Sequence, residues 1–252
     1  MKNISGLVLT KNNHKTIRPC LESMKGLITE LIIIDDFSED DTLMIAQEIF
    51  PEVKIIQRHL DRFEKQRNFG LEKITTDWAL MIDSDEIITP ALKSSIEKTN
   101  EEPTIEAYWV VRLNKLFDKY LPEKHLHRPI LFKGHLRFSH PVHEIIKLAK
   151  NKKKKLAGNL IHEGWESLEH SIEKTSRYEK LTCQRWIEEK RHYGLVKRMF
   201  LLFTLPVYQF IVCFFIKKYY LLGIERGLMY SALEASSWIR VLNLFKNSKP
   251  SL

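Results

Sequence analysis

Three clusters of residues have the types and spacing for chemistry. Asp83-Ser84-Asp85, followed by Glu86, closes an apolar run. Carboxylates at i and i+2 on a turn can point to one side and share a divalent cation. A hard ion such as Mg²⁺ or Mn²⁺ takes oxygen ligands and bridges carboxylate to substrate phosphate. The competing reading is a plain acidic turn, because Asp populates turns for its own hydrogen bonds. Asp35-Asp36-Phe37-Ser38 ends another apolar run and precedes Asp40-Asp41-Thr42. Ser38, Asp40 and Asp41 suit the capping of a following helix, with the acids at its positive end. That leaves Asp35 and Asp36 at a strand end, where a carboxylate can accept a nucleobase N–H or a ribose hydroxyl. Glu64-Lys65-Gln66-Arg67-Asn68 opens a helical pattern. Arg67 there could offset a nucleotide diphosphate with its bidentate fork, or lie on an exposed helix face.

The elements that must position these residues follow from the pattern of apolar runs. Ile4–Thr10, Leu31–Asp35, Val53–Gln57 and Trp78–Ile82 read as strands, with helical stretches over 15–26, 40–50 and 64–74 between them. Runs without alternation suggest strands buried on both faces, and the helices suggest βαβ crossovers. The expected fold class is therefore α/β, with a doubly wound, mostly parallel sheet. In such sheets ligands bind beyond the carboxyl ends of the strands, where the acidic clusters fall. From residue 103 the pattern changes: Ala107–Leu113, Arg128–Lys133 and Val142–Leu148 read as a small antiparallel part. The lysines at 152–155 read as a solvated turn, and Ser167–Arg191 as a long polar helix.

Composition sets limits on function. The chain has 252 residues, 44% hydrophobic and 29% charged, which is globular and not disordered. A net charge of +8 fits an anionic partner. Cys20, Cys183 and Cys213 lack CxxC spacing, which argues against a disulfide framework or structural zinc. Met1-Lys2-Asn3-Ile4 runs into a strand pattern with no signal-peptide character, so an intracellular chain is expected. The lysine run lacks interleaved aromatics, which argues against nucleic acid as partner. Met199–Ile216 is apolar and flanked by Lys197-Arg198 and Lys217-Lys218. A spanning helix needs about 20 apolar residues, so this segment is marginal for a span, and it is interrupted by Pro206 and Gln209. The preferred reading is an interfacial segment, about 197–222, on an anionic membrane surface; a core helix or a true span are the alternatives.

In order and spacing, these pieces resemble the family 2 glycosyltransferases, which have the GT-A fold. The resemblance rests on Leu-Val-Leu-Thr-Lys-Asn-Asn at 7–13 and on Ile-Ile-Ile-Asp-Asp-Phe-Ser-Glu-Asp-Asp-Thr at 32–42. It rests also on Gln-Arg-Asn-Phe-Gly-Leu-Glu-Lys-Ile-Thr-Thr-Asp-Trp-Ala-Leu-Met-Ile-Asp-Ser-Asp-Glu at 66–86. Phe138-Ser-His-Pro-Val-His-Glu144 and Ile161-His-Glu-Gly-Trp165 narrow the likeness to short bacterial enzymes that add glucose to the lipopolysaccharide core. One departure is Asn13, where that group carries an acidic residue; asparagine still accepts hydrogen bonds but supplies no charge.

The resemblance implies a division of labour. Asp36, with Asp35 beside it, would hold the uracil or ribose of a UDP-sugar, with Thr10, Asn13 and Ser84 nearby. Arg67 would contact the nucleotide, Asp83 the ribose or metal, and Asp85 the Mg²⁺ or Mn²⁺ bridging the phosphates. His162 would be a further metal ligand or a hydrogen-bonded structural histidine. Glu144 would be the base of an inverting transfer, with His143 orienting base or substrate; a strand-edge salt bridge is the alternative. The implied enzyme moves a sugar, glucose by the narrower likeness, to a lipid-linked saccharide at the cytoplasmic membrane face. Residues 1–165 would form the catalytic domain and 166–252 a helical extension. A non-catalytic membrane-surface adaptor and a nucleotidyltransferase are the other readings, the latter weakened by the lack of glycine in Thr10-Lys-Asn-Asn-His14.

Overall fold

Three of the four apolar runs are buried on both faces, which is why they carry no polar alternation. The structure, a computed structural model, describes residues 3–99, 102–116, 119–121, 127–139, 146–165 and 195–247, with scattered positions between 172 and 187. Strands β1 (Ile4–Thr10), β2 (Glu30–Asp35), β3 (Lys54–Gln57) and β4 (Trp78–Asp83) run parallel in the order β3-β2-β1-β4. β3 lies at the edge and is only partly buried, with Lys54 outward, as suits an unpaired edge.

Because side chains alternate along a strand, neighbouring residues feed two cores. On one face Val8, Ile33, Leu80 and Ile82 pack with helices α1 (Ile17–Met24), α2 (Thr42–Ile49) and α4 (Pro90–Glu97). On the other, Leu7, Ile32, Ile34 and Met81 pack with Leu71 of α3 (Phe63–Leu71). Helices on both faces make the parallel part doubly wound. The sheet continues past β4 with β8 (His127–Lys133), β6 (Ala107–Leu116), β9 (Lys153–Trp165) and β5 (Glu86–Ile88); β7 (Lys119–Leu121) pairs with β6. β8 is antiparallel to β4 and β6, and β5 is antiparallel to β9.

Several elements differ from the sequence expectation. β5, at three residues, is too short to show a period. α4 is short too, and rests on a Thr89 side-chain cap and Pro90 at its first turn. The lysine run is a strand start rather than a solvated turn: Lys150–Lys152 make one 3-10 turn and β9 begins at Lys153. Its charges are answered across the sheet, Lys152 by Glu106 and Lys154 by Glu102, both at 2.6 Å. Gly158 lets β9 pass the start of α4, since its φ is +85° and a Cβ there would lie 2.4 Å from the Leu92 nitrogen. Of the expected strand 142–148, residues 142–145 lie outside the described residues and 146–148 have no strand structure. Ser38 does not cap α2. It bonds Asp35 and the Asn12 N–H, while Asp40 accepts the Thr42 N–H at 3.0 Å.

The chain divides into two compact units: Met1–Asn114 with Glu123–Gly164, and Lys115–Pro122 with Trp165–Leu252. In the second, the described positions between 172 and 187 are helical. Helix α5 (Leu195–Ile211) packs Leu201, Leu202 and Leu205 against Trp186, and against Trp238 and Phe245 of α6 (Ile224–Asn247). Its other side is apolar and bare: Phe200, Phe203, Val207 and Tyr208 are 61–70% exposed. Only 6% of Met199–Ile216 is buried, so the segment is not a core helix. It is long and apolar enough to cross a membrane by length and composition. Cys20, Cys183 and Cys213 are buried and form no disulfide with one another.

Candidate active site

Strand register brings the clusters to one edge. Thr10 pairs with Asp35 across β1–β2, and Leu9 with Asp83 across β1–β4, so both acidic clusters leave the sheet at its carboxyl end. Ser84 and Asp85 form the tight turn from β4 to β5. On β9, antiparallel to β5, His162 stands opposite Glu86, and the Glu163 N–H donates to the Asp85 carbonyl at 2.8 Å. That register sets His162 Nε2 3.2 Å from Asp85 Oδ2. The other ring nitrogen, Nδ1, lies 2.9 Å from Asn114 Oδ1 on β6.

The two carboxylates of Asp83-Ser84-Asp85, expected to share one cation, have different protein partners. Asp83 is gripped by guanidiniums: Arg67 Nη2 donates to Oδ1 at 3.2 Å, and Arg128 donates to both oxygens, at 3.1 Å to Oδ1. Arg128 also donates to Glu86 Oε1 at 2.8 Å, and Arg112 lies 3.5 Å from the same oxygen. Glu86 is fully buried and takes the Asp83 N–H on its second oxygen at 2.8 Å. Burial acts to raise the Asp83 pKa, but Arg128 and Arg67 outweigh it and hold the carboxyl well below its usual range. For Glu86 burial prevails and the pKa is raised, with Asp83 adding to the push and Arg128 opposing it. Burial also disfavours the Arg128 charge, yet Asp83 and Glu86 raise its pKa above normal.

The nucleotide-side residues divide into loop holders and one reachable carboxylate. Asn13 is a loop holder: its Oδ1 accepts from Thr10 Oγ1 at 3.1 Å, the Lys11 N–H at 3.1 Å and Ser84 Oγ at 2.8 Å. Those are the bonds an acidic residue would accept, so its missing charge leaves the loop intact. Asp35 is fully buried and accepts from Ser38 and from Gln57 Nε2 at 3.3 Å, which places it in the loop's framework. Asp36 is the reachable carboxylate, with a side chain 14% exposed. Burial works to raise its pKa, but the Leu60 N–H at 3.1 Å and the Lys11 ammonium at 3.0 Å pull it below the usual value. Beside it Phe37, at φ +54°, stacks on His59 with ring centroids 4.1 Å apart. A bulky residue at positive φ is strained, and such strain gathers at functional sites.

Glu144 and His143, the expected base and its neighbour, lie outside the described residues. The approach to them is anchored, because Asn68, next to Arg67, bonds the Phe138 backbone twice, at 2.8 and 2.9 Å. Sequence reading missed Arg128, Arg112 and Asn114, and gave Glu86 no role of its own. Arg128 stands beside His127 ahead of the apolar Pro129–Phe132 stretch of β8, a faint signal, but its partners lie 42 and 45 residues away and no spacing rule joins them.

Among the described residues no three His, Cys, Asp or Glu side chains are grouped to hold a metal. Asp85 and His162 do form a donor pair. His162 spans Asn114 and Asp85, with Nδ1 2.9 Å from Asn114 Oδ1 and Nε2 3.2 Å from Asp85 Oδ2, and its tautomer sets which nitrogen donates. With the hydrogen on Nδ1, Nε2 and the carboxylate are two lone-pair donors that can share one cation lying to the side of both. A hard cation in this setting fills its remaining positions with substrate phosphates and water.

The chain belongs to glycosyl transferase family 2, whose domain matches residues 5–157. The parallel half-sheet with helices on both faces, continued by antiparallel strands and followed by helices, is the GT-A class of fold. An uncharacterized glycosyltransferase of Rickettsia typhi is 26% identical over all of this chain and 89% of its own. One from Rickettsia felis is 24% identical over 89% of this chain and 83% of its own. Among solved structures, Staphylococcus aureus TarS residues 1–349 matches with 17% identity and TM-score 0.46, covering 95% of this chain and 81% of that one. Glucosyl-3-phosphoglycerate synthase of Mycobacterium tuberculosis, solved with Mn²⁺, UDP and glucosyl-3-phosphoglycerate, matches with 21% identity and TM-score 0.35, over 45% of this chain and 44% of that one.

Proposed function

We propose that this glycosyltransferase is metal-dependent and inverting, and moves a sugar from a UDP-sugar donor to a lipid-linked saccharide such as lipopolysaccharide core. The observation that carries the reading is the Asp85–His162 pair, two electron-pair donors 3.2 Å apart at the strand ends where an α/β sheet binds its ligand. A Mg²⁺ or Mn²⁺ ion held there would neutralise charge gathering on the departing diphosphate. Asp36 would accept from uracil or ribose. Arg67, already at Asp83, would offset the nucleotide charge, with Thr10, Asn13 and Ser84 holding the loop. Glu144 would take the proton of the attacking hydroxyl, with His143 orienting it; glucose as the sugar rests on the family likeness alone. The test is nucleotide release from UDP-, GDP- and dTDP-sugars with Mn²⁺, Mg²⁺ or EDTA. Metal-dependent release from one UDP-sugar supports the reading, and neither release nor UDP binding with any metal refutes it.

Asp36→Asn keeps the shape and removes the charge. The expected result is a donor KM raised about tenfold, the cost of one hydrogen bond to a charged group, with kcat nearly unchanged. An unchanged KM would remove Asp36 from the donor site.

The cytoplasmic-face, peripheral location is part of the same proposal. Phe200, Phe203, Val207 and Tyr208 form an exposed apolar stripe, with exposed Lys197 before it and Lys218 after it. Such a face enters the headgroup boundary of an anionic bilayer and holds the enzyme beside a lipid-linked acceptor. Changing Phe203 and Val207 together to Glu should lower sedimentation with anionic vesicles by about tenfold or more, from the apolar burial lost. Turnover of free donor should stay the same. Equal vesicle binding by the variant would dismiss this face as the anchor.

A further inference from the structure

We infer that Asn114 is a positioning residue for the metal site, fixing the His162 tautomer that points a lone pair at Asp85. The inference rests on the metal-dependent reading above and adds to it the group that prepares the site. Asn114 and His162 are each 6% exposed, so neither can exchange its partner for bulk water. They sit on β6 and β9, which neighbour each other in the sheet, and Nδ1 to Oδ1 is 2.9 Å.

With the Asn114 amide oxygen turned to Nδ1, a neutral ring carries its hydrogen on Nδ1. Nε2 then has no hydrogen to give to Asp85 Oδ2 at 3.2 Å. In a neutral ring, a purely structural Asp–His hydrogen bond needs the opposite tautomer, with Nε2–H directed at Asp85 and the Asn114 amide turned so that its NH₂ donates to Nδ1; in the imidazolium both nitrogens donate. The two arrangements differ in what they can bind. The first presents two donors to a cation, and the second is closed to one. β6 supplies this control by its period of two. Arg112, on the same side of the strand, reaches Glu86, and Asn114 reaches His162 on the facing strand.

Outer partners of a metal-binding histidine fix its tautomer and orientation, and their loss costs about 10–100-fold in metal affinity. The experiment is Mn²⁺ binding to the full chain, followed by electron paramagnetic resonance with UDP present, for wild type, Asn114→Asp and Asn114→Leu. Asn114→Asp keeps an acceptor at Nδ1–H and should bind Mn²⁺ nearly as wild type does. Asn114→Leu matches the volume without the acceptor and should lose about 10–100-fold. Equal binding by Asn114→Leu overturns the inference and leaves the metal reading standing; no Mn²⁺ binding by wild type overturns both. If Asn114→Leu does not fold, NMR of the histidine ring nitrogens in wild type decides. His162, identified by its absence in His162→Gln, should carry its proton on Nδ1 when neutral and metal-free; a proton on Nε2 overturns the inference.

Discussion

Asp85→Asn is expected to lower metal-dependent sugar transfer by about a thousandfold, the loss usual for one preorganised group that stabilises transition-state charge. The side chain keeps its size and its turn, but the charge that would hold the cation is gone. Stability should move the other way. With the His162 hydrogen on Nδ1, as inferred above, the asparagine NH₂ can donate to Nε2 and make a hydrogen bond there. The variant should therefore melt at or slightly above the wild-type temperature while losing activity and Mn²⁺ binding together. Nucleotide release, Mn²⁺ titration and a thermal melt measure the three properties. Activity within threefold of wild type would exclude Asp85 from the metal site.

Arg128→Met should cost about 3–5 kcal/mol of folding stability, read from the denaturant midpoint. The guanidinium contacts Asp83 and Glu86 together, and Glu86 has no solvent contact to replace it. Removing one partner of a buried pair leaves the other's charge uncompensated, which costs more than the pair contributed. The effect has a pH signature. The Glu86 pKa, already raised by burial, goes higher once Arg128 is gone. An acid whose folded pKa lies above its unfolded one destabilises the fold at higher pH, and the penalty is relieved as pH falls through the folded pKa. The variant's deficit should thus shrink on mild acidification. Adding Glu86→Gln should recover a good part of the loss, because the two residues are in contact and their effects do not add. A deficit under about 1 kcal/mol, independent of pH, would place this cluster among weak surface pairs.

The parallel half of the fold was legible because burial on two faces leaves a mark in the residues themselves. Ile4–Thr10 has the same bounds in sequence and structure, and the other three parallel strands agree to within a residue. The acidic clusters were legible for a related reason: strand ends in a parallel sheet share one edge, so locating the strands locates their termini. The antiparallel half left less trace. β5 is too short for periodicity, and β9 opens on lysines whose compensating Glu102 and Glu106 are some fifty residues away in sequence.

Sequence by itself determined the family, the parallel strands and the candidate acids Asp36, Asp83 and Asp85, since each is a property of residue type and local order. Which acid does what was decided by the tertiary structure. Asp35 and Asp36 are adjacent and alike in type, yet one is committed to the loop and the other reachable. Asp83 and Asp85 look equivalent on paper, yet arginines from α3 and β8 claim the first, and His162 of β9 faces the second. The reason is physical: hydrogen bonds and charge act through space over a few ångströms, and only the pairing of β4, β5, β6, β8 and β9 brings Arg128, Asn114 and His162 within that distance.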